Sequence, residues 1–175
     1  MGVFTSCRQD SYKDTLRMQS ELLAGLIIQS RSVVLDVVGM EGPHTFTVEQ
    51  KRQAETEMIA YTYLFSKHML LKHTDDVHFR DLSETCRFYL EDYLWTRSSD
   101  YTLCHLFQEA KSLLEGEVTT SPPNPFLPGF RASYERQCRF LGVPPESAVR
   151  IVPSQSLLIK MMARWDLHEI RIENA

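Results

Sequence analysis

Three helix-patterned segments in close succession, within residues 47–116, constrain the fold of this chain most strongly. In each, apolar side chains recur every three or four residues, which is the spacing of one face of an α-helix. The first carries Ala54, Met58, Tyr61, Phe65 and Met69. The second carries Phe79, Leu82, Cys86, Tyr89 and Tyr93, and the third carries Leu103, Phe107, Ala110 and Leu114. Because short connections favour antiparallel neighbours, we predict a mainly α fold, an antiparallel helical bundle around residues 47–116.

Local signals predict where these helices begin and end. Thr47 and Gln50 have the spacing of a capping box, in which a hydroxyl and a side-chain amide satisfy amides at a helix start. Residues 74–76 and 98–100 are rich in hydroxyl and carboxylate side chains, which favour helix starts. Gly116 stands where a glycine commonly terminates a helix.

The remaining segments predict further helices and at most a small sheet. A first helix is expected from Asp10 or Ser11 to about Ser30, and later helices near residues 134–141 and 154–165. Three stretches have β-like patterns, at residues 32–38, 148–152 and 168–173. The first of these also fits the buried end of the first helix.

Chain length and loop composition predict the domain organisation. The 175 residues suit one domain. We expect residues 1–9 to be a flexible N-terminus and residues 10–175 to be a single helical domain. A Pro-rich loop interrupts that domain at residues 119–130, because consecutive prolines have fixed φ and lack amide donors.

Composition excludes several functional classes. The net charge of −4 provides no basic field for nucleic-acid binding. No apolar run approaches the roughly 20 residues of a membrane span, and no secretory signal is evident. The four cysteines contain no Cys-x-x-Cys pair, which is consistent with reduced thiols. We therefore expect a cytoplasmic protein.

Residues 68–81 contain the densest set of metal-ligand side chains. These are His68, His73, Asp75, Asp76, His78 and Asp81. The histidines lie five residues apart, which rotates each by about 140° from the last on a helix. A solvated turn between helices explains the set without a metal, and we predict no cofactor. The alternative is a soluble metal-binding protein or enzyme that uses residues 68–81.

Nucleophilic catalysis has no clear candidate. Cys104 and His105 are adjacent, so their side chains diverge by about 100° on a helix and do not form a thiolate pair. The sequence contains no Gly-rich phosphate loop. We predict that the protein is not an enzyme.

The Pro-rich loop contains a candidate partner-binding motif. Asn124, Pro125 and Phe126 resemble the Asn-Pro-Phe tripeptide that endocytic adaptor modules of the EH-domain type bind. An Asn-Pro turn presents the aromatic ring that follows it. The alternative is that Phe126, Leu127 and Phe130 fasten the loop onto the helical body.

The N-terminus carries the most specific functional signal. Met1 and Gly2, followed by a serine at position 6, match the N-myristoylation pattern. One myristoyl chain binds membranes only marginally, and Cys7 offers an adjacent site for a second, palmitoyl-type chain. The alternative is an ordinary N-terminus that matches the pattern by chance.

Together these features predict a non-enzymatic, lipid-anchored peripheral membrane protein on the cytosolic face of membranes. It would act as an adaptor or scaffold with protein partners. Such a protein would be a cellular regulator, a viral matrix or tegument-like protein, or a delivered effector. A soluble helical partner-binding protein without lipid is the remaining alternative.

Overall fold

The computed structural model describes residues 3–40, 45–70, 76–98, 101–120, 129–145 and 148–162. It contains the helices α1 (Val3–Gln29), α2 (Val33–Met40), α3 (Val48–Leu70), α4 (Asp76–Ser98), α5 (Thr102–Thr120), α6 (Phe130–Leu141) and α7 (Ala148–Met162), with a 3-10 turn at Ser30–Ser32. The mainly α prediction is confirmed, and these described ranges contain no strand. Helix α1 begins at Val3, so its backbone includes most of the segment for which we predicted no helix.

Two of the three β-like stretches are helical, so the predicted small sheet is wrong there. Residues 32–38 belong to the 3-10 turn and α2, and residues 148–152 open α7. Residues 168–173 lie outside the described residues. Val33, Val34, Val37 and Val38 are all buried. Their spacing places them on one helical face, so burial of that face outweighs the β preference of valine.

Helix α3 is the central element. It packs mainly against α5 and α6, whereas α4 packs mainly against α1. The Arg97–Glu55 ion pair and the hydrogen bond from Tyr63 Oη to the Ser83 carbonyl show that α3 and α4 are antiparallel. Helices α1 and α4 run parallel, because Tyr12 contacts Asp81 and Glu21, further along α1, contacts Tyr89, further along α4.

One predicted helix end is confirmed and one is wrong. The Thr47 amide donates to Gln50 Oε1 at 2.9 Å and the Gln50 amide donates to Thr47 Oγ1 at 3.1 Å, which is the predicted capping box. Gly116 does not end α5, which continues to Thr120. Burial of Val118 accounts for the extra turn.

The predicted apolar faces of α3 and α5 are confirmed, and that of α4 is correct over its first half. Phe79, Leu82 and Cys86 are buried, but Leu90 and Leu94 then occupy the core. Tyr89 and Tyr93 are only partly buried at its edge. The hydroxyl of Tyr89 donates to Glu21 at 2.9 Å, so this ring spans the α1–α4 contact.

Leu82 and Leu113 provide a matched test of the core. Leu82 is 1% exposed in α4 and Leu113 is 55% exposed in α5. We expect Leu82→Ala to lower the free energy of unfolding by about 2–5 kcal/mol, because it leaves a cavity. Leu113→Ala should change it by less than about 0.5 kcal/mol. Denaturant titration measures both, and equal losses would contradict this core assignment.

Candidate functional site

The predicted lipidation residues lie at the edge of the described region. Gly2 lies outside the described residues, and for Cys7 only the backbone, within α1, is described. The lipid-anchor interpretation therefore stays a prediction. Asn124, Pro125 and Phe126 also lie outside the described residues, so the partner-binding motif stays a prediction as well.

One described stretch, Ser11–Gly39, is long and apolar enough to cross a membrane by length and composition. Leu23, Ile27, Val34 and Val38 from this stretch are buried in the hydrophobic core. One such stretch is weak evidence for a membrane span, because a core helix and a signal sequence meet the same criteria.

The described part of residues 68–81 makes contacts within the fold. The His78 ring lies 5.4 Å from the Tyr12 ring of α1, and Tyr12 Oη donates to Asp81 Oδ2 at 3.3 Å. His73 and Asp75 lie outside the described residues. Among the residues that are described, no group of three or more His, Cys, Asp or Glu side chains could hold a metal ion.

The described cysteine side chains are poor nucleophiles. Cys86 and Cys138 are buried, and burial raises the pKa of Cys86 well above its usual value. Burial, followed by the charge of Glu91, also raises the pKa of Cys104. The Cys104 thiol lies 3.5 Å from the Glu91 carbonyl, whereas His105 contacts the ring of Tyr101. These groups favour the thiol over the reactive thiolate.

A buried ion pair joins α3 to α6. Glu57 is fully buried, and Arg136 Nε donates to its Oε2 at 2.9 Å. A second nitrogen of Arg136 reaches Glu109 of α5 at 3.3 Å. Burial raises the pKa of Glu57, and the hydrogen bond and charge of Arg136 partly oppose that rise. Sequence analysis missed this pair because its members are 79 positions apart and carry no shared local pattern.

A surface cavity of about 190 Å³ adjoins this ion pair. Its lining residues are Leu106, Glu109, Arg136, Arg139 and Phe140. Small-molecule sites usually enclose about 300–1,000 Å³. Since Glu57 and Glu109 already contact Arg136, the positive charge in the wall is largely balanced. The cavity therefore does not identify a ligand.

The exposed side of α4 carries both apolar and charged side chains. We define the α4 outer face as Val77, Arg80, Glu84, Phe88 and Trp95. Val77 is 59% exposed, Phe88 is 64% exposed and Trp95 is 39% exposed. The Trp95 ring packs 4.4 Å from the ring of Tyr101, which extends the surface to the start of α5. Exposed aromatic side chains are enriched at protein interfaces.

The spacing of Phe88 and Trp95 could have revealed this surface. They are seven positions apart, two helical turns, and Val77 lies eleven positions before Phe88. All three fall on one face that is separate from the stripe assigned to the core. The outward stripe has only three members, whereas the inward stripe of α4 is longer and dominates the apolar pattern.

The buried ion pair gives a test whose result depends on pH. Arg136→Met should cost about 3–5 kcal/mol of unfolding free energy near neutral pH, because it leaves the Glu57 carboxylate buried without its partner. The folded-state pKa of Glu57 is raised above the unfolded value, and the variant should raise it further. The protonated Glu57 carboxyl is tolerated in the folded variant below its unfolded pKa, near 4.5. The unfolding free energy of the variant should then fall as pH rises through the folded pKa of Glu57.

Arg139→Met is the matched control, since Arg139 lies on the same helix and is exposed. We expect the loss in Arg136→Met to be larger at about pH 8 than at about pH 5, and the control to show little loss. Replacing Glu57 by Met as well should recover part of the loss. Urea titrations at both pH values measure this. A loss that is independent of pH would contradict the assigned role of Glu57.

Comparisons with known proteins give no family assignment. The chain matches no protein-family model, no curated protein and no solved structure. Functional proposals therefore depend on the residues of this chain.

Proposed function

We propose that this chain is a lipid-anchored peripheral protein of the cytosolic face of membranes, with a helical body that acts as a non-enzymatic adaptor or scaffold. The N-terminal pattern carries the proposal: Gly2 behind Met1, a serine at position 6, and Cys7 beside that serine. This pattern is the one recognised for attachment of myristate to an N-terminal glycine.

Two acyl chains are needed for lasting attachment. A single myristoyl chain has an association constant with membranes of only about 10⁴ M⁻¹, so the protein would exchange on and off. A thioester-linked chain on Cys7 adds about 0.8 kcal/mol for each buried methylene. The net charge of −4 gives no general attraction to anionic lipid, so the second acyl chain is the stronger source of retention.

The course of α1 is compatible with two chains in one membrane. Val3 and Cys7 are both in α1, and the four-residue step between them advances about 6 Å along a helix. That distance is small compared with the roughly 30 Å thickness of the hydrocarbon core. This short step supports the proposal that acyl chains on Gly2 and Cys7 would enter one membrane.

The helical body is proposed as a binding module because two of its ion pairs, which are partly or fully buried, serve contacts between helices. Arg136 neutralises Glu57 between α3 and α6, and Arg97 pairs with Glu55 between α4 and α3. Val77, Phe88 and Trp95 of the α4 outer face are exposed apolar side chains that share one helical face. A surface of this kind supports protein binding.

Replacement of Gly2 and Cys7 tests the anchor. In eukaryotic cells, Gly2→Ala should prevent myristoylation, and it should also prevent acylation of Cys7 if that step follows the first membrane contact. Cys7→Ser should retain myristate and weaken membrane retention without abolishing it. Intact-mass measurement identifies the chains, and membrane fractionation measures retention.

The chain offers a matched control for each replacement. Gly25→Ala tests the same change inside α1, where no other heavy atom lies within 4 Å of an added Cβ. Cys104→Ser tests loss of a partly exposed thiol away from the N-terminus. Both controls should fractionate as wild type. If wild type and Gly2→Ala are equally cytosolic or equally membrane-bound, the anchor is excluded. Only the equally cytosolic outcome leaves a soluble partner-binding protein.

The Pro-rich loop supplies a second proposed protein contact, through Asn124, Pro125 and Phe126. Phe126→Ala should abolish binding to an isolated EH-type module without changing the unfolding midpoint. Phe130 is the contrasting aromatic residue, because it is fully buried against Tyr61. Phe130→Ala should cost about 3–5 kcal/mol. If Phe126→Ala is equally destabilising, Phe126 fastens the loop to the body and the motif is not available for binding.

A further inference from the structure

We propose that α6 is a conformational switch: it detaches from α3 as one unit while α3, α4 and α5 stay folded, and the charge of Glu57 sets how often it does so. The proposal concerns the helical body and does not depend on lipid. It follows from a comparison of α5 and α6, the two helices that pack most closely on α3.

The buried side chains that α5 contributes are all apolar. They are Leu103, Phe107, Ala110, Leu114 and Val118. The Phe107 ring lies 5.9 Å from the Tyr63 ring of α3. Apolar contacts of this kind gain free energy from burial and leave no donor or acceptor without a partner. Helix α5 is therefore held firmly against α3.

Helix α6 buries apolar side chains too, but polar ones lie between them. Its buried apolar residues are Phe130, Tyr134, Cys138 and Leu141. Ser133 and Gln137 are buried on the same helix. The Gln137 amide nitrogen donates to Ser133 Oγ at 3.2 Å and to Met58 Sδ of α3 at 3.5 Å. A thioether sulfur is a weak acceptor, so this amide gains little from its contact with α3.

Three buried oxygen atoms at the α3–α6 contact have no hydrogen-bond partner among the described residues. They are Oε1 of Glu57, the hydroxyl of Tyr61 and Oε1 of Gln137. The Tyr61 ring packs 5.5 Å from the Phe130 ring of α6. A buried polar atom without a partner raises the free energy of the docked state, and it regains hydrogen bonds to water when the contact opens. Helix α6 should therefore open more readily than α5.

The two ends of α6 allow it to move as a unit. Gly129 precedes the helix with φ of 69°, and Gly142 follows it with φ of 67°. Both lie in the left-handed region, and glycine accepts large changes of φ at little cost, as a hinge requires. Beyond Gly142, α7 packs mainly on α2. Detachment of α6 therefore leaves the main contact of α7 in place.

The charge of Glu57 makes the opening depend on pH. Among the described residues, the charged groups that face Glu57 are Arg136 and Arg139 of α6 and Glu109 of α5. Burial raises the pKa of Glu57, and the hydrogen bond from Arg136 is the largest opposing effect. Since the open state returns this carboxyl to water, the docked state binds its proton more tightly. Docking is therefore favoured at low pH and weakens as pH rises through the docked-state pKa of Glu57.

Labelling of two buried thiols measures the opening. Cys138 of α6 and Cys86 of α4 are both fully buried, so global unfolding exposes both. Unacylated protein from bacteria is treated with N-ethylmaleimide at neutral pH without denaturant, and peptide masses follow each thiol separately. Each rate is divided by the rate of the same thiol in urea-unfolded protein. We expect Cys138 to react about tenfold faster than Cys86, or more. Equal rates, or faster labelling of Cys86, would overturn the proposal.

Replacement of Gln137 tests the cause of the opening. Gln137→Leu removes the unpartnered Oε1 at similar volume, so it should slow labelling of Cys138 about tenfold and leave Cys86 unchanged. Gln29→Leu is the matched control, because Gln29 is exposed, and it should change neither rate. Circular dichroism establishes that both variants fold. Unchanged or faster labelling of Cys138 in Gln137→Leu would show that the buried amide does not weaken the contact.

Hydrogen exchange measured by mass spectrometry tests the role of Glu57. The ratio of amide exchange rates in α6 to those in α5 cancels the intrinsic pH dependence of exchange. This ratio should rise from about pH 5 to about pH 8 in the wild type. In Glu57→Gln it should be independent of pH, because an amide side chain does not titrate. A constant ratio in the wild type, or the same rise in Glu57→Gln, would overturn the control of opening by Glu57.

Discussion

The fold depends on the complete burial of the middle of α3, residues 56–66. Every residue in positions 56–66 is buried, although this run includes Thr56, Glu57, Thr62 and Ser66 as well as apolar side chains. A helix that is buried on all sides needs neighbours on all sides. The turn at Ser30–Ser32 and helices α4, α5 and α6 supply them. These elements enclose the buried stretch of α3, and α1 and α7 pack mainly on other helices.

Polar groups inside that enclosure impose specific partners. The Thr62 hydroxyl donates to the Met58 carbonyl at 2.8 Å and accepts a hydrogen bond from the Ser30 hydroxyl at 2.8 Å. Glu57 requires a cation, which α6 supplies as Arg136. A buried charge without its partner is far more costly than a poorly packed apolar group. The ion pair therefore fixes which part of α6 lies against α3, whereas apolar contacts alone would permit several alignments.

Helix α4 has a different relation to the core. Its inner face packs against α3, and α1 covers one flank. On the other flank, Glu91 of α4 contacts Gln108 of α5. The remaining face is exposed and carries aromatic side chains within an ordered set of charges. Because α1 and α4 are direct neighbours, the helix that would carry the proposed membrane anchor packs beside the exposed face of α4.

The sequence by itself determined the features that depend on neighbours three or four positions apart. It predicted the capping box of Thr47 and Gln50 and the inward faces of α3 and α5, because a helix brings such residues together wherever it lies. It also contains the N-terminal acylation pattern, which is a property of consecutive residues.

Only the tertiary structure decided the features that depend on distant parts of the chain. It made residues 32–38 helical, since their valines gain more from burial as one helical face than from a local β preference. It paired Glu57 with Arg136, and it placed Leu90 and Leu94 inside while leaving Phe88 and Trp95 outside. Local spacing identifies an apolar face but not which of two faces meets the core, because that choice depends on the shape and charge of the helices packed against it.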